Sequence, residues 1–381
     1  MQGQRAVLMK NLLILYNPYY QANVIESHLE VLKSQGAVAF GKIRSKLKDK
    51  FTSDSNKSSD SLESIMNLLQ DSCESLESKR NFLQLFLTDY ANLYVAKVVD
   101  IVKSSDLRLI PRYYAEKNIE CYFIVSDLRE IVRDNFALIR DKYLANFTTP
   151  AFENHTYALY GNSYTYPLEV AQKREVCYFE GEQKHFLTLF KSDEFLHQKQ
   201  ILLDYAFGEY LYALHPDSFE NLIFAELEFH ANKGDKLYDF SGVILRYAKA
   251  FEQECYLFVR KIVRILGKKD SVILELTFGV GSKMKSVANL AHEKAMLGAY
   301  LHLLDNLLRK HIRAHLSAEV AEFCARFTKD ISFIQKARNP VAHSEFAKFM
   351  DANAVRNMIV GVGARKSVMI ETIKARELLS K

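Results

Sequence analysis

The hydrophobic period of this chain changes once, near residue 185, and that change limits its fold more than any other feature. Up to that point apolar residues come in short runs of strand length, such as LLILY at 12–16 and ECYFIVSDL at 120–128. Beyond it they recur every three or four residues, the spacing of helices with one buried face. The reading is an α+β multidomain chain, with a mixed α/β part followed by an all-α part. Only 14 glycines and 6 prolines in 381 residues fit long regular elements, and the length leaves room for two or three domains.

In the first part, 1–180, LLILY reads as a buried strand and VIESHLEVLKSQ as a helix with Ile25, Leu29 and Leu32 on one face. Gly36 stops that helix, and AVAFGKI resumes strand character. Residues 44–80 are rich in Ser, Lys and Asp and read as a polar insertion, with a short amphipathic helix through Leu62, Ile65, Met66 and Leu69. Residues 82–103 read as two strands about a turn at Thr88–Asn92. Residues 157–170 read as a hairpin turning at Gly161–Asn162, followed by a strand at EVCYF. Tyr157, Tyr160, Tyr164 and Tyr166 gather around that turn, where exposed rings can stack on bases, although cross-strand packing is the commoner use of such tyrosines.

Residues 185–235 read as a helical connector, with Pro216 between two helices and NKGDK at 232–236 as a hinge. The last part, 236–381, has the clearest pattern. One stripe runs through Ile244, Tyr247, Phe251, Cys255 and Phe258, a second through Val287, Leu290, Leu297, Leu301 and Leu304, and a third through Val320, Phe323, Phe327, Ile331 and Ile334. Three stripes that bury one another predict an antiparallel helical bundle.

Inside it, KARNPVAHSEF at 336–346 sets Arg338 and His343 five residues apart, with Asn339 and Pro340 between them. The residue before a proline avoids the α region, so a helix is expected to end near Arg338. Asn339 then caps a new helix, with Pro340 in its first turn. In one continuous helix, residues five apart point about 140° away from each other. A junction brings them together, and so does a two-fold dimer that presents the pair across its interface. Histidine moves protons near neutral pH, while arginine clamps phosphate and stabilises charge building on phosphorus. RNA carries its own nucleophile, the 2′-hydroxyl, so this chemistry requires no metal. The plainer alternative is structural: Arg338 on a carbonyl at a helix C-terminus, and His343 merely in a first turn.

The stretch RNPVAH resembles the arginine–polar–histidine signature of the HEPN superfamily, and 241–260 is similar to the first long helix of HEPN domains, with Glu252 beside its apolar stripe. The resemblance spans 236–381; the proline inside the motif departs from the usual pattern. It implies a metal-independent endoribonuclease without cofactor, whose paired motifs form one composite site in a homodimer and leave 2′,3′-cyclic phosphate and 5′-hydroxyl ends. Such proteins occur in toxin–antitoxin and antiviral defence systems. Carried onto this sequence, His343 handles the proton, Arg338 the phosphate, Asn339 positions one or both, and Glu252 orients Arg338. For Glu252 a structural role beside Tyr256 is the simpler reading. The alternative function is a non-catalytic HEPN-like dimerisation scaffold whose N-terminal domain binds nucleic acid.

Arg260, Lys261 and Arg264, together with Arg309, Lys310 and Arg313, are candidate contacts to an RNA backbone, a solvated basic face being the default. His311 and His315 have a metal-ligand spacing, but no third ligand is visible and three cations lie among them, so no metal is expected. FGVGSKMKS at 278–286 lacks the P-loop spacing and is expected to join two helices. The stretch FLQLFLTDYANLYVAKVVDI is faintly similar to PUA-like, EVE or ASCH-type small barrels. That likeness implies a sensor or nucleic-acid-recognition domain, with a small ligand or modified nucleotide as its partner.

Five scattered cysteines with no CxxC pair point to a reducing cytoplasm. No apolar run is long enough for a membrane span, so no membrane partner is expected. A net charge of +5 permits an RNA partner without demanding one. The expected partners are RNA, a second copy of the chain and, in a toxin setting, an antitoxin. Both Met1 and Met9 are alternative starts, since MKNLLILYNPYY reads like a natural beginning.

Overall fold

A computed structural model of the chain describes residues 10–19, 21–43, 82–160, 166–181, 183–280, 283–361 and 366–380. The insertion expected at 44–80 and the turn at Gly161–Asn162 lie outside the described residues. The chain divides at Phe190/Lys191 into two units, so the stretch expected as a connector, 185–235, is shared between them.

The N-terminal unit is built on a mixed eight-stranded sheet. Its strands are β1 (Asn11–Leu15), β2 (Val38–Ile43), β3 (Leu83–Thr88), β4 (Leu93–Val102), β5 (Ile119–Val132), β6 (Phe147–Thr149), β7 (His155–Thr156) and β8 (Leu168–Gln172), in the spatial order β2-β5-β4-β3-β1-β8-β6-β7. β1 runs parallel to β3, with Leu13 opposite Phe86, and the other pairings are antiparallel. β1 and β3 are apolar runs buried along their length because the sheet is covered on both faces. Helix α1 (Val24–Gln35) ends where Gly36 takes φ +78° and donates its N–H to the Leu32 carbonyl at 2.9 Å, as the sequence predicts. On the other face Leu13, Phe86, Val95 and Val170 pack with Phe147 and Tyr157.

Three expectations for this unit are corrected. The sheet is open, with β2 and β7 as its edges, so the small closed barrel does not form. Tyr157–Tyr160 is a helical turn rather than a hairpin strand, and Tyr157 is a core residue whose hydroxyl lies 2.6 Å from that of Tyr166 and 3.3 Å from that of Tyr90. It offers no ring for stacking on a base; Tyr164 and the side chain of Tyr160 lie outside the described residues. EVCYF joins no strand pair among the described residues, because side chains hold its backbone instead. Gln84 donates to the Val176 carbonyl (3.0 Å) and accepts from the Tyr178 N–H (2.8 Å), and Gln172 donates to the same carbonyl at 3.1 Å.

The C-terminal unit is largely helical: α2 (Asp193–Leu202), α3 (Pro216–Asn232), α4 (Ser241–Lys269), α5 (Leu297–His302), α6 (Arg309–His315), α7 (Ala318–Ala342), α8 (Phe349–Arg356) and α9 (Val368–Leu378). Pro216 opens α3, where its missing N–H costs nothing. The predicted stripe of α4 is buried from Val243 to Leu266, and this helix packs against α3, α7, α8 and α9. The single helix expected over 287–312 is instead a turn at Val287–Ala291, then α5, then a wide turn in which Leu308 donates to the Leu303 carbonyl, then α6. FGVGSKMKS is no mere link: β9 (Thr277–Val280) and β10 (Lys283–Ser286) pair antiparallel, with Phe278 buried and Met284 exposed. Among the described residues no helix is long and apolar enough to cross a membrane.

Candidate functional site

Helix α7 does not stop at Arg338. It continues through Asn339 and Pro340 to Ala342, which overturns the expected junction and the cap at Asn339. The reason is position. Pro340 sits in the last turn, so only the hydrogen bond from residue 340 to the carbonyl of residue 336 is lost, while buried Ile331 and Ile334 hold the helix body. The end comes three residues later. Ser344 takes φ +73° and donates to the Val341 carbonyl (3.4 Å), and Glu345 donates to the Pro340 carbonyl (3.1 Å), a Schellman closure.

Arg338 and His343 therefore belong to one helical end. Their spacing sets them about 140° apart around its axis, and a single chain does not aim them at one small group. Arg338 and Asn339 are half-buried, and Arg338 Nη1 donates to Asn339 Oδ1 at 3.3 Å, its only side-chain hydrogen bond among the described residues. His343 is exposed. The chain beyond it is pinned to the start of α4. Ala347 N donates to Asp239 Oδ1 (3.1 Å), Phe240 N donates to the Ala347 carbonyl (3.0 Å), and Ser241 Oγ lies 3.1 Å from the Glu345 carbonyl. The Ser241 hydroxyl, followed by the backbone N–H groups of Ala347 and Ser241, holds the Asp239 carboxyl below its usual range. No local pattern marks this latch, whose members are separated by more than a hundred residues.

The charge of Arg338 reaches Glu252. Its Oε1 accepts the N–H of Leu297, the first residue of α5, at 3.1 Å. Burial raises its pKa, against the opposing pull of the Arg338 guanidinium, the Leu297 N–H and Lys294.

The candidate RNA-binding cations are dispersed. Arg260 and Arg264 are exposed on one face of α4, with Arg260 over the ring of Tyr256. Lys261 is turned elsewhere, donating to the Arg376 carbonyl (2.6 Å) and to Ser380 Oγ at the end of α9. Arg309, Lys310 and Arg313 are exposed on α6, where Arg309 approaches Asp305 at 3.7 Å. Lys269 of α4 donates to the His315 carbonyl at the end of α6; Arg260, nine residues earlier, lies about 180° around α4 from it. His311 and His315 stack with centroids 6.4 Å apart, and no three potential ligand residues gather around a metal position among the described residues.

Two buried acids also escape sequence reading. Glu226 is held by Arg356, Tyr247 and His230. Glu254 is held by Arg376 (2.7 Å) and the N–H of His215 (2.8 Å). Both staple α3, α4, α8 and α9 together and face the interior.

Comparison with known proteins gives no match for this chain among family models, curated proteins or solved structures.

Proposed function

We propose that the C-terminal unit is a metal-independent, HEPN-type endoribonuclease that acts as a homodimer. The observation that supports this reading is the state of Arg338: a half-buried guanidinium with most of its donors unused, its charge acting on Glu252, at the same exposed helical end as His343. Because one chain spreads the two side chains apart, the reading requires a two-fold partner to complete the site. Exposed Phe346 and Met350, close after His343 in sequence, offer apolar surface for that contact.

In this mechanism the 2′-hydroxyl attacks the adjacent phosphorus as His343 of one protomer takes its proton. Arg338 stabilises the added charge on the phosphoryl oxygens, and Asn339 holds Arg338 in place. The P–O5′ bond breaks, the leaving oxygen acquires a proton, and a 2′,3′-cyclic phosphate remains. The N-terminal unit is the recognition or sensing part, with a small ligand or modified nucleotide as its partner. The biological setting is a toxin or antiviral system, with an antitoxin as a further partner. The divergence of Arg338 and His343 within one chain also favours a second reading, an assembly scaffold without catalysis.

Single-stranded RNA incubated with the protein in excess EDTA separates the two, beside Arg338→Ala and His343→Ala variants checked for folding and dimerisation. Cleavage that leaves cyclic-phosphate ends and is lost in both variants establishes the nuclease. Cleavage that persists in both variants overturns the assignment of the site.

A further inference from the structure

Building on the nuclease reading, we infer that Lys294 is a second phosphate-binding cation of the Arg338 site, holding the RNA backbone at a phosphate neighbouring the one that Arg338 holds. The placement comes from α5. Its first residue, Leu297, is tied to Glu252 of α4 by the 3.1 Å hydrogen bond. Its second, Gly298, lets it approach α7 closely: a Cβ there would meet Nε2 of Gln335 at 2.9 Å, and Gln335 lies one turn before Arg338. The start of α5 is thus wedged between Glu252 and the turn of α7 that leads into Arg338. Lys294 lies three residues before Leu297, in the non-helical stretch that enters this wedge.

Two further observations favour a ligand-binding role over a structural one. Lys294 is exposed and has no hydrogen-bond or ion-pair partner among the described residues. The charges of Arg338 and Lys294 both act on the Glu252 carboxylate, yet neither cation closes an ion pair with it. A carboxylate on which both cations act offsets part of their mutual repulsion while leaving net positive charge and unspent N–H donors. A chain with phosphates at regular intervals fits two cations so arranged better than a single small anion does.

The test is binding of a 2′-O-methyl oligonucleotide, which cannot be cut because its nucleophile is blocked, measured by fluorescence anisotropy over a salt series. Wild type is compared with Lys294→Ala, Arg338→Ala and Lys329→Ala, the last an exposed lysine nine residues before Arg338 on α7. Each phosphate contact to a single strand contributes about 0.7 to the slope of log K against log salt. Lys294→Ala should therefore weaken binding at low salt and flatten the slope by about 0.7, as should Arg338→Ala, while Lys329→Ala leaves both unchanged. Wild-type affinity and slope in Lys294→Ala, with weakened binding in Arg338→Ala, overturn the inference and leave the nuclease reading standing. Absence of binding by the wild type overturns both.

Discussion

Glu226 of α3 and Arg356 of α8 meet as a parallel pair, Nε to Oε1 at 2.8 Å and Nη2 to Oε2 at 2.9 Å, across 130 residues of sequence. Tyr247 of α4 donates its hydroxyl to the same carboxylate at 2.5 Å. Burial alone would raise the Glu226 pKa. The hydrogen bonds from His230, Arg356 and Tyr247 outweigh it and hold the carboxyl below its ordinary value. Removing one partner of a buried pair leaves the other uncompensated, which costs roughly 3–5 kcal/mol. Glu226→Ala should cost that much, with Glu226→Gln milder, measured by urea unfolding followed at the helical far-UV band. Because the folded pKa is depressed, the contribution is present above the unfolded value and lost as pH falls through the folded one. A Glu226→Ala protein as stable as wild type would show that the pair contributes nothing net.

His28 predicts acid sensitivity in the N-terminal unit. Its ring is buried against Phe40, with centroids 4.7 Å apart, and Nδ1 lies 2.7 Å from the Val24 carbonyl. Nε2 has no partner among the described residues. Burial pushes its pKa down to about 4, with the Val24 carbonyl pulling the other way. The folded pKa lies below the unfolded one, so the contribution is complete above the ordinary histidine value of 6.5 and is lost as pH falls toward 4. The full loss is about 3 kcal/mol. Amide exchange in α1, corrected for intrinsic rate, should show reduced protection at pH 5 relative to pH 7. His28→Phe, which keeps the ring packing, should abolish the difference.

Asp127 predicts the opposite slope in the same unit. Burial pushes its carboxyl up to about 6, although it accepts the backbone N–H groups of His185 (3.0 Å), Phe186 (2.9 Å) and Leu128 (2.8 Å). With the folded pKa raised, its contribution is complete below the unfolded value of 3.8 and is lost as pH rises through 6. The size is about 3 kcal/mol. Exchange at 185–188 should become more protected between pH 7 and pH 5, and Asp127→Asn should remove that gain.

Where local signals suffice, the sequence is a good guide. The stop of α1 at Gly36, the β3–β4 turn capped by Asp89, and the long apolar stripe of α4 all follow from residues close in sequence. The misses share one cause, tertiary packing overriding a local rule. α7 carries a proline through its last turn because its body is buried, and the stripe over 287–312 is broken by a wide turn that shifts its phase. EVCYF has strand composition but is captured by Gln84 and Gln172. At the candidate site, Arg338 and His343 are proposed from the motif, its place in the chain and the helical pattern around it. Lys294 and the Asp239 latch depend on elements that meet only in the fold.

Gly361 predicts a sharp intolerance. It takes φ +80°, and a Cβ there would overlap the backbone nitrogen of Ser367, which cannot move freely because Ser367 Oγ donates to the Ile359 carbonyl at 2.6 Å and caps α9. The left-handed conformation costs an L-residue roughly 1–2 kcal/mol, and overpacking adds roughly 1–3. Gly361→Ala should destabilise by roughly 2–4 kcal/mol on those grounds, read from the shift of the unfolding midpoint at unchanged slope. A shift near zero would mean that Gly361 and Ser367 can move apart freely.

Ser344, just past the motif, predicts a gain. It holds the left-handed position that closes α7, a place where glycine is usual and serine is strained. Ser344→Gly removes a steric cost of roughly 1–2 kcal/mol but adds freedom to the unfolded chain, so the net gain should be about 1 kcal/mol or less. Ser344→Val, β-branched at the same φ, should lose at least as much. Exchange should report both at the end of the helix, as higher protection of Ser344 and Glu345 in the glycine variant and lower protection in the valine variant. These two N–H groups donate to the Val341 and Pro340 carbonyls and complete the helical end on which Arg338 and His343 sit. Equal protection in the two variants would mean that the closure does not control the end of α7, and that His343 is held by the Asp239 latch alone.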